Sequence, residues 1–386
     1  MNRHAGRLPA IVVVCLWYSS CGGASPPGAP PTVVPTPTPG GPASGATVLC
    51  NRADGLQWVS TRPLASAVPD ATHPLVSIKD PSVVHFDDRW HVYATTADAA
   101  RSWSMVYLTF TDWAQAAAAR PYYLDENPNL RGYHCAPQVF YFRPQRRWYL
   151  VFQSQQPQYS TADDPSRPDT WSRPQDFFAG KPASVVGTWL DYWVICDEAD
   201  AYLFFTDGTG RFYRSQTRLA DFPRGFGEPR VVMQDPDFAR LFEASNTYRL
   251  KGTNQYLTLV EAMGPEGRRY FRAFVADRLD GGWTPAHNTS SWDRPFAGAA
   301  NVAFEGGRTA WTSTISHGEL LRDGYDETLT VDPCNLQFLF QGYDPSRGST
   351  DYSQLPWQLG LLWMPGVAAR DCSESPSEPR ARKARL

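Results

Sequence analysis

Five times along the chain, a run of apolar and β-branched residues is followed by a short polar turn and a second such run. The first copy reads Ser77-Ile78-Lys79-Asp80-Pro81-Ser82-Val83-Val84, turns at Asp87-Asp88, and continues as Trp90-His91-Val92-Tyr93-Ala94-Thr95-Thr96. Short runs rich in Val, Thr and aromatic residues on either side of a polar turn read as hairpins. The pattern returns at residues 136–142 with 148–152, 191–195 with 202–206, 243–248 with 256–260, and 300–304 with 309–313. The starts at 80, 137, 191, 243 and about 300 stand 57, 54, 52 and about 57 residues apart. A repeat slightly longer than about 40–50 residues, holding about four strands, marks propeller blades. The expected fold is therefore all-β, a five-bladed β-propeller in a single domain spanning residues 47–372. Identity between copies is low, so pattern and spacing carry this reading.

The two ends break the pattern. Arg3, His4 and Arg7 precede an apolar core at residues 11–17 that is too short to span a bilayer alone, then Ser19-Ser20-Cys21-Gly22. Residues 1–21 resemble a bacterial lipoprotein signal with Cys21 as the lipidated residue; plain secretion is the alternative, and both export the protein. Residues 22–46 are Pro, Gly, Ser and Thr with almost nothing to bury, which predicts a disordered spacer. Residues 373–386 read as a loose, basic tail.

Export permits disulfides. Cys50 opens the domain and Cys334 follows the fifth repeat, so a bridge between them would tie the chain ends together. Cys135 and Cys196 stand in apolar strands and read as buried free thiols. Aromatic residues make up 13% of the chain, a content that suits packed sheets and sugar-binding surfaces alike. The net charge of -3, without a basic block in the repeats, argues against nucleic acid as a partner. A monomer is expected, with membrane contact only through a lipid on Cys21.

Three repeat starts carry a carboxylate: Asp80, Asp191 and Glu243. Ring geometry brings such positions to one mouth of a propeller, although they are far apart in sequence. An unpaired acid opening an apolar strand costs stability, and three in register point to chemistry. The alternative is that they cap strand ends by accepting backbone N–H bonds. Clustered carboxylates suit glycosidic cleavage, which needs one acid kept protonated and one base kept ionised. Glu243 follows Leu241-Phe242, where desolvation would raise its pKa, and Asp191 is placed to hold it up by repulsion. Lys79 and Asp80 are neighbours that a regular strand would point to opposite faces, so no pairing is claimed for them.

The motifs Ser77-Ile78-Lys79-Asp80-Pro81, Trp189-Leu190-Asp191-Tyr192-Trp193 and Leu241-Phe242-Glu243-Ala244-Ser245-Asn246 resemble glycoside hydrolase family 62, the α-L-arabinofuranosidases. So do Ala136-Pro137-Gln138-Val139, Ser316-His317-Gly318-Glu319 and Cys334-Asn335-Leu336-Gln337, in order from about Leu56 to Trp363. The resemblance implies a five-bladed propeller that removes arabinofuranosyl branches from arabinoxylan or arabino-xylooligosaccharides with inversion. It implies Asp80 as general base, Glu243 as general acid and Asp191 as the group that tunes and positions the acid. Lys79, Trp148 and Tyr343 would bind substrate, and His317 would hold a structural calcium at the propeller axis, largely through water.

Two rivals share parts of this pattern. A related propeller glycosidase, a β-xylosidase or an arabinanase, would carry the same acid trio. A non-catalytic carbohydrate-binding propeller would need aromatics but no such trio. The covalent tie is testable by itself: Cys334→Ser is expected to lower the melting temperature, since a disulfide contributes about 2–4 kcal/mol. An unchanged melting temperature in non-reducing buffer would show that Cys50 and Cys334 do not pair.

Overall fold

The structure, a computed structural model, describes residues 55–349 and 351–365 together with Leu49. It contains five antiparallel-based sheets, each led by a strand at the centre of the ring. Blade 1 runs outward through Leu75–Phe86, Arg89–Asp98, Trp103–Phe110 and Tyr122–Tyr123. Blade 2 is Cys135–Phe142, Arg147–Gln153, Pro157–Ala162 and Gln175–Asp176; blade 3 is Leu190–Cys196, Asp200–Thr206, Arg211–Arg218 and Arg230–Gln234. Blade 4 is Glu243–Leu250, Tyr256–Met263, Arg269–Ala276 and Thr284–Pro285, with Thr330–Val331 added in parallel on its inner side. Neighbouring inner strands pack side by side from blade 1 round to blade 5, which returns to blade 1. The fold is a five-bladed β-propeller.

The fifth blade departs from the sequence expectation. Its inner strand is Ser316–Leu320, followed by Gln337–Gly342 and Gln358–Trp363. Val302–Phe304, expected to start that blade, is its outermost strand, and residues 309–313 form no strand. The expected inner hairpin fails where Gly306 and Gly307 both take positive φ, and Ser316–Leu320 is too polar to announce a strand. Between them stands Trp58–Ser60, which pairs antiparallel with Gln358–Trp363 and parallel with Val302–Phe304. The start of the domain thus completes its last blade, and the ring closes through backbone hydrogen bonds.

Apolar side chains fill the spaces between blades. One cluster runs through blades 2 to 5, joining Phe140, Tyr149, Phe204, Tyr248, Phe271 and Phe338. A second lies between blades 1 and 2, and most of the aromatic content is packing of this kind. Cys135 and Cys196 are buried free thiols, as expected. Cys334 is disulfide-bonded; Cys50 lies outside the described residues, as do Cys21, residues 1–46 and the 373–386 tail.

One irregularity recurs on the inner strands. Asp80, Ala136, Asp191 and Ala244 have φ of 47°, 50°, 56° and 52°. At each, two residues oppose one on the next strand, the signature of a β-bulge with its first residue in the left-handed region. The fifth inner strand also breaks register, between Ser316 and Gly318, at His317. A bulge N–H turned out of its own ladder needs another acceptor. Asp80 N–H donates to Gln341 Oε1 (2.6 Å), Ala136 N–H to Thr95 Oγ1 (2.7 Å), and Asp191 N–H to Gln153 Oε1 (3.3 Å). Ala244 N–H donates to Asp191 Oδ2 (2.8 Å) and His317 N–H to Glu261 Oε2 (2.7 Å). Each acceptor belongs to the preceding blade, so the bonds run round the ring in one sense.

Trp58 locks the closing strand: it is 1% exposed, stands 5.5 Å from Phe296 ring to ring, and donates through Nε1 to Phe296 O at 2.6 Å. Trp58→Ala is expected to cost about 3–5 kcal/mol in denaturant unfolding, as other buried aromatic truncations do. A loss below about 1 kcal/mol would show that this strand does not hold the ring.

Candidate active site

The bulges set which side chains meet at the axis. Asp80 and Asp191 sit on the bulge itself, in blades 1 and 3. Glu243 does not share their register. It stands one residue before the bulge, the place Lys79 and Cys135 hold in blades 1 and 2, because Ala244 takes the bulge in blade 4. Aligning acid with acid was therefore off by one residue.

The same bulge overturns the expectation for Lys79. Positive φ at Asp80 removes the alternation of a regular strand, and Lys79 Nζ lies 2.8 Å from Asp80 Oδ2. Both side chains are less than a tenth exposed. Asp80 Oδ1 faces His317 Nδ1 at 3.3 Å, and His317 Nδ1 is 3.9 Å from Asp191 Oδ1. Asp191 also accepts the N–H of Ala244, the residue after Glu243, so it fixes the backbone that carries that acid. Capping and clustering, posed as alternatives, coincide in Asp191.

The environments push the carboxyls apart. Burial alone would raise Asp80, but the Lys79 ammonium and His317 outweigh it and hold the carboxyl below the usual carboxylate range. Burial raises Glu243 to about 8; Arg269 opposes the shift, while Asp191 and Glu261 add to it. Asp191 is also raised, chiefly by burial, with His317 opposing. Burial would lower His317, yet Asp80 and Asp191 carry it up to about 9. One mouth thus holds an ionised carboxylate and a protonated carboxylic acid near neutral pH.

Aromatic rings edge the mouth. Lys79 Nζ lies 5.4 Å from the Tyr352 ring centroid, and Tyr343 meets Trp357 edge-on at 4.8 Å, next to Tyr352. Tyr343 is thus one ring removed from Tyr352, the ring that faces Lys79. Trp148 is 1% exposed, stacked on Tyr325 at 5.3 Å and edge-on to Phe86 at 5.1 Å. It occupies the end of Arg147–Gln153 away from Gln153, which reaches Asp191, so it is a core residue rather than a substrate contact.

Three residues of the site went unread in the sequence: Glu261, Arg269 and Tyr352. Glu261 left a trace, a lone carboxylate inside the apolar strand Tyr256–Met263, 1% exposed. Arg269 and Tyr352 have no comparable local signal. Among the described residues, no group of three or more His, Cys, Asp or Glu side chains is arranged to hold a metal ion. His317 Nδ1 itself faces the carboxylates of Asp80 and Asp191.

Residues 57–363 match the family model of glycosyl hydrolase family 62. The chain belongs to this family. Over 316 residues it is 44% identical to α-L-arabinofuranosidase C of Cellvibrio japonicus, a match covering 81% of this chain and 48% of that protein. The chain thus spans about half the length of that relative. The catalytic domain of a family 62 α-L-arabinofuranosidase from Coprinopsis cinerea superposes with a TM-score of 0.77 at 49% identity, covering 81% of this chain and 98% of that one. A family 62 hydrolase solved with xylotriose gives 0.78 at 44% identity, covering 82% and 100%.

In this family 62 protein, Lys79→Met removes the nearest cation from Asp80 and leaves burial unopposed on that side. The acid-side limb of the kcat/KM profile is expected to move to higher pH, because an ionised Asp80 is then lost sooner as pH falls. An unmoved limb would show that Lys79 does not keep Asp80 ionised.

Proposed function

We propose that the protein is an inverting, exo-acting α-L-arabinofuranosidase that removes single arabinofuranosyl branches from arabinoxylan and its oligosaccharides. The observation that carries this reading is the opposite displacement of two carboxyls at one mouth, Asp80 held low and Glu243 raised to about 8. Titratable pairs driven apart in this way supply the base and the acid of glycosidic hydrolysis. Family membership and the arabinofuranosidase names of the relatives supply the substrate class.

Glu243 gives its proton to the glycosidic oxygen as the bond to the anomeric carbon breaks. Asp80, ionised, takes a proton from the water that attacks that carbon from the opposite face. Inversion requires room for this water, with carboxyls roughly 6.5–9.5 Å apart. Asp191 holds the backbone beside Glu243 and adds the repulsion that keeps it protonated. Lys79 and Tyr343 are proposed to contact the sugar. Calcium held through water near His317, export with Cys21 lipidated, a monomeric state and the Cys50–Cys334 bridge belong to the same proposal and rest on the sequence.

The test is proton NMR of sugar released from wheat arabinoxylan in the first minutes. The expected product is free arabinose appearing as the β-anomer before mutarotation. The α-anomer would overturn inversion, and xylose or no sugar would overturn the assignment. Glu243→Gln is expected to fold normally and to lose nearly all turnover; activity near wild type would sink its role as acid.

A further inference from the structure

Glu243 and Glu261 are direct partners across the first two strands of blade 4. Like charges placed opposite each other destabilise a sheet, more so where water is scarce. The cation between them is Arg269 on the third strand, Nη1 standing 3.1 Å from Glu261 Oε1 and 3.6 Å from Glu243 Oε1. The sharing is unequal: only the Glu261 contact is a hydrogen bond. The guanidinium is further held over the Phe242 ring, 4.2 Å from its centroid. Glu261 is fixed at its other oxygen, where Oε2 accepts from Ser316 Oγ (2.9 Å) and His317 N–H (2.7 Å).

We propose that Glu261 is a positioning residue that draws Arg269 away from Glu243 and so denies the general acid a full ion pair. A close carboxylate–guanidinium pair favours the ionised carboxylate, and an ionised Glu243 has no proton to give. Glu261 prevents that by occupying the arginine, and its own charge repels a second one on Glu243. The other groups around Glu243 are Asp191 on the inner strand of blade 3, Lys79 on that of blade 1, and the Tyr352 phenol. Asp191 acts with Glu261, and Lys79 acts against it. The proposal rests on Glu243 being the acid, and it explains how a partly buried arginine at 3.6 Å leaves that acid protonated.

The experiment is Glu261→Gln. The amide oxygen can keep the bonds from Ser316 and His317, while the NH₂ turned toward Arg269 no longer accepts from it. Arg269 is left with Glu243 as its carboxylate. Glutamate is labelled with ¹³C at the carboxyl, and the Glu243 signal is assigned by its loss in Glu243→Gln. That signal is expected to titrate about one pH unit or more lower in Glu261→Gln, and the alkaline limb of kcat/KM should follow it. A folded Glu261→Gln protein whose Glu243 signal titrates as in wild type overturns the proposal. Arg269→Met is expected to move the same signal upward; it decides the matter if Glu261→Gln does not fold, and no upward movement overturns the proposal. Signals that shift as expected in a protein releasing no arabinose support this device and overturn only the reading of the function.

Discussion

The structure depends on satisfying five backbone N–H groups that the bulges turn away from their own strands. The bulge lies at the second residue of the inner strand in blades 2 to 5 and mid-strand at Asp80 in blade 1, and each finds its acceptor on the preceding blade. A donor left unpaired there would cost about 1–3 kcal/mol, so blade spacing and bulge position are fixed together. Ala136 and Ala244 hold left-handed conformations that cost alanine roughly 1–2 kcal/mol, and neither carries a polar side chain to the axis. The strain persists because the ring of bonds determines the backbone there. At Asp80 and Asp191 the same conformation delivers a carboxylate to the axis, so the scaffold constraint and the chemistry are one feature.

Two of the five acceptors in that ring also set the electrostatics. Asp191 takes the N–H of Ala244 while standing near His317; Glu261 takes the N–H of His317 while holding Arg269. Removing any of these side chains disturbs a backbone position and a pKa together. Whether nearby cations outweigh burial then decides the sign at each carboxyl. Asp80 has two cations within 3.3 Å and stays ionised, whereas Glu243 has an arginine at 3.6 Å that is already engaged, and stays protonated. Proximity to charge matters less here than whether that charge is free to pair.

The repeat was legible because four inner hairpins alternate clearly, and the acids were legible because a carboxylate opening an apolar strand is costly enough to need a reason. The fifth blade was misplaced because its inner strand carries His317, Gly318 and Glu319 in five residues, while a three-residue strand from the other end of the domain completes the sheet. The Lys79–Asp80 contact was hidden for another reason. Strand periodicity puts neighbours on opposite faces, and only a positive φ, which nothing in Lys-Asp-Pro announces, reverses that. Trp148 shows the converse limit: an aromatic that opens a strand reads equally as core or as surface, and its place at the far end of the blade decides it.

A second tier of contacts lies deeper on the same strands. Glu319 and Arg322 form a 2.6 Å ion pair with both side chains at most 1% exposed. Glu319 Oε2 accepts from Ser82 Oγ and Val83 N–H, and Arg322 donates to the carbonyls of Val83 and Val139. A buried ion pair by itself is weak grounds for stability, because desolvation offsets much of its Coulomb energy. Here it ties blade 5 to blades 1 and 2 two residues beyond Asp80, while Gln341 ties blade 5 to Asp80 itself. Asp80 is therefore held from both sides by one blade. A water that must be deprotonated at a defined angle needs a carboxylate that cannot drift, and paired tethers above and below the bulge supply that constraint more directly than the packing of the blade can.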